Sequence, residues 1–562
     1  MQTTNAVDGE ESLQELSPFE LKDKLIAYAL DYSQQKSVTR SFLNAGRGNP
    51  NWIATEPREA FFLLGQFALE ESKRVWEEPG LGGMPHAAGS AARLRTFLSS
   101  AGGGDGATLL SRSIAYGTAK LGFDDDAFVH ELVDSIVGDN YPVPDRMLVH
   151  TERVVHRYLE REMWGEESPG KRDLFAVEGG TAAMCYLFKS LVANFILRKG
   201  DTIAIGTPIF TPYIELPHLD EFGLRTIEVG QATMKGGIHT WQYTDAELAK
   251  LEDPAVKAFF IVNPSNPASF AMDAPTQQRL VDLVRQKRPD LLILTDDVYG
   301  TFVPGFRSLA GLLPHNTILV YSFSKYFGCT GWRLGVIAVH EDNIFDEKLE
   351  SLPMAEKETL HRRYRSLTPD PAALKFIDRM VADSRDVALN HTAGLSLPQQ
   401  AQMALFSLFA LVDENDAYKK RCQEIVHRRF AKLLEGLGIE AEDDPCRVGY
   451  YAELDLEAWG RRTYGDDFMA FVGEERQPLD VVIQLAKRFG TVLLNGSGFG
   501  GPPWSVRVSL ANLDDDDYIA IGQHLRALVD AGVERWRIAR RGEGGVVSAN
   551  APSSSQGNGG RS

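Results

Sequence analysis

YSFSKYFGCTGWRLG, residues 321–335, sets a lysine just beyond the end of an apolar run. The run that leads into it, Ile318–Ser322 (ILVYS), is short, apolar and β-branched, and it reads as a buried strand. Ser324 and Lys325 follow at once, and Arg333 stands eight residues further on, with Gly331 and Gly335 to either side. An amine held among aromatic rings past the end of a buried strand is placed for carbonyl chemistry. Small hydroxyls near an arginine suit a phosphate. The spacing therefore points to a phosphate-bearing aldehyde cofactor, with Ser322, Ser324 and Arg333 on the phosphate and Lys325 on the aldehyde.

Working outward, the same pattern of short apolar runs recurs at Thr202–Gly206, Val256–Val262, Leu291–Thr295 and Leu334–Val339. Each is bounded by Gly, Pro, Asn or Asp and reads as a strand. Between them lie helical patterns, one predicted from Thr181 to about Arg198 with Cys185, Phe188, Val192, Phe195 and Ile196 on its apolar face. Strand–helix alternation over 170–340 predicts an α/β core with a largely parallel sheet, whose ligands sit at the carboxyl ends of the strands. The unusual residues lie at those ends. EGGTAAM at 178–184 opens a helix with Gly179, Gly180 and Thr181, a turn whose free N–H groups suit an anion. TDDVYG at 295–300 ends an apolar strand in two aspartates, and WSVRVSL at 504–510 puts Arg507 inside a late strand. A buried arginine needs an anion, and its planar fork suits a carboxylate.

Taken together, S-x-S-K-x-x-G-x-x-G-x-R-x-G at 322–335 resembles the cofactor-lysine signature of the class I and II aminotransferases, with Cys329 as a mild departure. The resemblance spans roughly 40–540. It implies pyridoxal 5′-phosphate (PLP) as cofactor, no metal, and the fold-type I architecture: a large α/β domain with a mixed, mostly parallel sheet flanked by helices, plus a smaller α+β domain. It also implies roles. Gly179, Gly180 and Thr181 cradle the phosphate; Phe210, in TPIF at 207–210, lies against the pyridine face; Asn266, in NPSNPAS at 263–269, and Tyr299 reach the phenolic oxygen. Asp296 pairs with the pyridine nitrogen, and Asp297 is its rival. Arg507 binds the substrate α-carboxylate. Tyr141, in DNYPVP, reaches the phosphate of a neighbouring subunit, so the expected assembly is at least a homodimer and beyond that a larger array of dimers.

The chain is longer than ordinary members of that family, and NAGRGNPNW at 44–52 carries Arg47 where they have a neutral or acidic residue. These features resemble the branch that acts on L-aspartate and removes its distal carboxylate. The resemblance implies L-alanine and CO2 as products, transamination to keto acids as a side activity, and Arg47 or Arg385 on the distal carboxylate. An ordinary aspartate or broad amino-acid aminotransferase is the alternative. A PLP-binding transcription regulator is a remote one, because it needs a basic N-terminal DNA-binding domain.

Composition narrows the partners. The chain has 562 residues, with 59 Lys+Arg against 77 Asp+Glu and a formal charge of −18. Such a field repels phosphate backbones and anionic lipid, so neither nucleic acid nor membrane is an expected partner. Four cysteines without metal-ligand spacing, no secretory leader and no run of about 18 apolar residues predict a reducing, cytoplasmic setting. The expected domains are a mobile segment at 1–18, the first part of the small domain at 19–55, the large domain at 56–365 with a helical insertion at about 82–140, the rest of the small domain at 366–540, and a disordered tail at 541–562. SSAGGGDGA at 99–107 reads as a surface loop within the insertion.

Overall fold

The computed structural model describes residues 13, 16–35, 42–76, 82–100, 102–385, 394–440 and 443–547, with side chains to 541. Its centre is a seven-stranded sheet: β1 (Arg172–Val177), β2 (Thr202–Thr207), β3 (Arg225–Gly230), β4 (Val256–Val262), β5 (Leu292–Asp296), β6 (Thr317–Ser322) and β7 (Gly335–His340). The spatial order is β1-β7-β6-β5-β4-β2-β3. Only β7 runs against its neighbours; β6, β5, β4, β2 and β3 pair in parallel. The five predicted strands lie within a residue or so of the observed ones. β1 and β3 were not anticipated: RDLFAV opens on two charges, and RTIEVG alternates polar with apolar because β3 is a half-exposed edge. The chain order reverses on either side of β2, and the lysine segment emerges at the carboxyl end of β6, on the same edge of the sheet as the ends of β4 and β5.

Helices cover both faces. Along the chain they include α1 (Pro18–Gln35), α2 (Glu56–Trp76), α3 (Ser90–Ser100), α4 (Asp105–Leu121), α5 (Asp125–Val137), α6 (Val149–Leu159), α7 (Gly180–Ala193), α8 (Phe376–Ser384), α9 (Leu397–Val412), α10 (Ala417–Leu437) and α11 (Asp515–Val547). The insertion is therefore α3 to α5, and its apolar faces join the same core as the sheet. The Gly-rich stretch is a loop only over its middle. Gly106 lies inside α4 against α2, where a Cβ would come within 2.7 Å of the Ala60 amide nitrogen. That residue is glycine so that two helices can touch.

A second core gathers α1, the later part of α10, α11 and a small antiparallel sheet of β8 (Tyr451–Asp455), β9 (Leu494–Asn495) and β10 (Ser505–Ser509), in the order β8-β10-β9. α8 and α9 lie beyond residue 366, where the sequence placed the return to the small domain, yet Phe376, Met380, Met403 and Phe406 are buried in the first core. The change of core comes within α10, because α9 is apolar all round and packs on α2, α5 and α6.

Three further expectations are corrected. The helix expected over 181–198 ends at Ala193, and it buries Ala183, Met184, Leu187, Phe188 and Leu191, leaving Cys185 exposed. The apolar residues of that segment are too many to define one stripe from sequence. The tail expected to be disordered from 541 begins as the last turns of α11, while 548–562 lie outside the described residues. Most of the N-terminal segment expected to be mobile also lies outside them, but Leu13 is buried in the second core. Among the described residues no helix is long and apolar enough to cross a membrane.

Candidate active site

The carboxyl ends of β4, β5 and β6 and the start of α7 surround one cleft. Gly180, Thr181, Phe210, Asn266, Asp296, Tyr299, Ser322, Ser324, Lys325 and Arg333 all line it. They come from five separate stretches of chain, 180–181, 210, 266, 296–299 and 322–333. The lysine signature spans β6 and the turn that returns into β7, so its residues meet by local geometry. Ser322 and Ser324 are buried and share a hydrogen bond of 2.9 Å between their hydroxyls. Arg333 holds a left-handed backbone, φ 56°, and donates to the carbonyls of Thr330 at 2.9 Å and Glu178 at 3.2 Å. That aims its guanidinium at the Gly179 turn, where a Cβ would lie 2.4 Å from Nη2; Gly179 also has φ 93°. Only glycine meets both demands.

Asp296 ends β5, buried. Tyr213 Oη donates to its Oδ2 at 2.8 Å and the Val298 amide to its Oδ1 at 3.2 Å. Burial pushes its carboxyl up to about 6, with the Tyr213 hydrogen bond, the Val298 amide and Lys325 pulling the other way. Asp297, the rival, is not in the cleft. It is fully buried behind the strand and accepts from the Thr295 hydroxyl. Burial raises it to about 7, and the Asp296 charge adds to that. The raised value means that its stabilising contribution is complete below the unfolded carboxylate range and lost as pH climbs through about 7. Asp297→Asn, which no longer titrates, is expected to gain on the order of 5 °C in Tm relative to wild type between about pH 5 and about pH 8. Thermal unfolding at the two pH values measures it; a pH-independent difference refutes the shift.

Lys325 is half-buried, and its Nζ donates to the Gly48 carbonyl at 3.1 Å. Tyr450 Oη donates to the same carbonyl at 2.7 Å. Arg507 is buried behind Asn266 and Tyr451. It donates to Asn266 Oδ1 at 3.3 Å and to the Gly46 carbonyl at 2.9 Å, under the rings of Tyr451 at 4.5 Å and Phe499 at 4.8 Å. Its Nε has no hydrogen-bond partner among the described residues, and burial lowers its pKa. A buried guanidinium held by two neutral oxygens is a cation waiting for an anion.

Gly179 and Arg507 stand behind the cleft lining, and three further sequence candidates lie outside it. Arg47 sits between the two anchored carbonyls of Gly46 and Gly48, with its side chain exposed. Arg385 donates to Asp145, to Oδ2 at 2.8 Å and to the main-chain carbonyl at 3.1 Å, and does not line the cleft. Tyr141 is 73% exposed and does not line the cleft. Two tyrosines that line the cleft were missed. Tyr213 braces Asp296, and Tyr451 accepts a hydrogen bond from Tyr299 at 3.2 Å. Burial raises the Tyr451 phenol, but Lys325, Arg507 and the Tyr299 hydrogen bond outweigh it, so its pKa falls below the usual phenol range. Neither residue had a motif to mark it.

The donor set fits PLP. Hydroxyls, Arg333 and the α7 N-terminus suit a phosphate, Asp296 a protonated ring nitrogen, and Lys325 an aldehyde, all within one cleft. Comparison with known proteins settles the family: the model for aminotransferase class I and II matches residues 179–523. The chain belongs to the class I and II aminotransferases. Within them it is 51% identical over 529 residues to the bifunctional aspartate aminotransferase and L-aspartate beta-decarboxylase of a Pseudomonas species, covering 94% of this chain and 98% of that one. Among solved class I and II aminotransferase folds, the aspartate aminotransferase of Rhizobium meliloti superposes with a TM-score of 0.55 at 16% identity, over 92% of this chain and 96% of that one. The aromatic aminotransferase of Pyrococcus horikoshii gives 0.54 at 17%, over 89% and 99%.

Proposed function

We propose that this aminotransferase-family chain is a PLP-dependent L-aspartate 4-decarboxylase that releases L-alanine and CO2 and transaminates aspartate as a side reaction. The observation that carries the reading is the 51% identity, over nearly the whole of both chains, to a bifunctional enzyme of that description. When bound, PLP supplies an aldehyde that joins the substrate amine and a protonated ring that accepts electrons from the bonds around Cα.

The chain's own residues do the rest. Arg507 binds the α-carboxylate through its planar fork, with Asn266 and the Gly46 carbonyl fixing the fork's plane. Lys325 would hold the aldehyde, and its Nζ, when free, would take the proton from the substrate Cα. Asp296 keeps the proton on the ring nitrogen, and Tyr213 keeps Asp296 in place. Arg47, next to the Gly48 carbonyl that meets Lys325, turns in to hold the distal carboxylate. Tyr141 serves the phosphate of a second copy, which makes the working unit at least a homodimer, and its exposure in the single chain accords with that role.

Aspartate alone, with PLP and no added keto acid, is expected to yield alanine and CO2 in equal amounts. An ordinary aminotransferase stops after one turnover per site and releases no CO2, so that result would refute the proposal. Arg47→Ala is expected to raise KM for aspartate about 10- to 100-fold, the worth of one charge-assisted hydrogen-bonded contact. It leaves half-transamination of alanine, which has no distal carboxylate, unchanged. Steady-state and single-turnover kinetics measure the contrast.

A further inference from the structure

Arg507 has a neighbour that the mechanism above does not use. Glu453 on β8 stands directly opposite Arg507 on β10 in the antiparallel pair, and directly opposed residues project from the same face of a sheet. Both are buried, at 9% and 2% exposure. They make no ion pair: Glu453 Oε1 accepts from Ser505 Oγ at 2.9 Å, Arg507 points to Asn266 and Gly46, and both Glu453 Oε2 and Arg507 Nε are left without partners. The carboxyl group has a built seat. A Cβ on Gly501 would come within 2.2 Å of Oε1, and one on Gly496 within 2.6 Å. A carboxyl group and a guanidinium that are close, buried and not joined make sense only if the acid is neutral and the cation is reserved for something else.

We propose that Glu453 is a positioning residue that sets the carboxylate affinity of Arg507: as a neutral acid it leaves the guanidinium to the substrate, and as a carboxylate it takes the guanidinium for itself. The titratable and charged groups around it are Arg507 from β10, Tyr451 and Asp455 two residues either way along its own strand, and His239, Glu440, Arg447 and Arg462 around the cavity that Glu453 also lines; the turn at 496–501 and Ser505 bring no charge. Asp455 is itself held by His239 at 2.8 Å. Burial raises the Glu453 carboxyl to about 8, opposed by the Ser505 hydrogen bond, raised further by Asp455 and lowered by Arg507. The switch therefore falls just above neutral pH, and substrate affinity is lost on the alkaline side.

The inference rests on Arg507 as the anchor of the substrate α-carboxylate. The test uses succinate, a dicarboxylate with no amine to titrate, bound to the holoenzyme and followed by calorimetry from about pH 6.5 to about pH 9.5. The quantity read is the ratio of Kd in wild type to Kd in Glu453→Gln, because titrations elsewhere in the site act on both. The ratio is expected to rise about thirtyfold across that range, as one acid with a midpoint near 8 ionises. Ser505→Ala, which removes a hydrogen bond favouring the charged form, is expected to move the wild-type midpoint to higher pH. A ratio that stays constant with pH overturns the proposal, and so does a midpoint unmoved in Ser505→Ala should the glutamine variant fail to fold. Arg507→Leu separates the two readings: if it binds succinate as tightly as wild type, the anchor assignment falls whatever Glu453 does.

Discussion

Lys325→Ala is expected to lose both decarboxylation and transamination of aspartate, by at least ~10⁴-fold, the upper range for removing a positioned proton-transfer group. The loss is greater than for any other single substitution, because one amine does two jobs: it carries the aldehyde and moves the Cα proton. The fold is expected to survive. Nζ makes one hydrogen bond, to the Gly48 carbonyl, and Tyr450 still satisfies that carbonyl in the variant. Product assays with and without PLP, and hydride trapping of the cofactor on the side chain followed by peptide mapping, give the measurement. An adduct at another lysine, or activity within a hundredfold of wild type, refutes the assignment. Lys325→Arg is expected to fail as well, since a guanidinium stays protonated and cannot act as the nucleophile.

Asp296→Ala is expected to lower kcat about 10²- to 10³-fold while the phosphate cradle still holds the cofactor, since breaking a buried charge pair costs about 3–5 kcal/mol. The loss falls on kcat rather than on substrate KM, because Asp296 touches the ring and not the substrate carboxylates. Tyr213→Phe is the graded form of the same test. It removes the 2.8 Å hydrogen bond that favours the ionised carboxylate. The Asp296 pKa, already raised to about 6 by burial, then rises further, so the acid side of the kcat profile moves to higher pH. Activity–pH profiles of the two variants settle the point. An unshifted acid limb in Tyr213→Phe means that Tyr213 does not brace Asp296.

The reach of the sequence differed from one part of the site to the next. The segment from Ser322 to Gly335 was legible because its chemistry is local: a strand end, two hydroxyls, the lysine, and an arginine returned by a short glycine-bounded turn. Asp296 was chosen over Asp297 by its spacing to Tyr299, and the tertiary structure puts Asp296 in the cleft and Asp297 behind it, as alternation along a strand requires. Tyr213 was invisible because a tyrosine near a buried segment looks like any core aromatic, and its partner is 83 residues away. The carbonyls of Gly46 and Gly48 had no signal at all, since every residue carries one. Arg385 had no local frame of that kind: its guanidinium meets Asp145, 240 residues away in sequence, a pairing that no motif marks.

By itself, then, the order of residues determined the α/β core, the carboxyl-end location of the cleft, and the grouping of Ser322, Ser324, Lys325 and Arg333 in it, because strand periodicity and turn chemistry act over short distances. Only the tertiary structure decided that Arg507 meets Asn266 and the Gly46 carbonyl, that α8 and α9 belong to the first core, and that Glu453 faces Arg507. Those facts depend on which distant segments pack together, and packing is settled by the whole apolar surface at once, not by any stretch of chain.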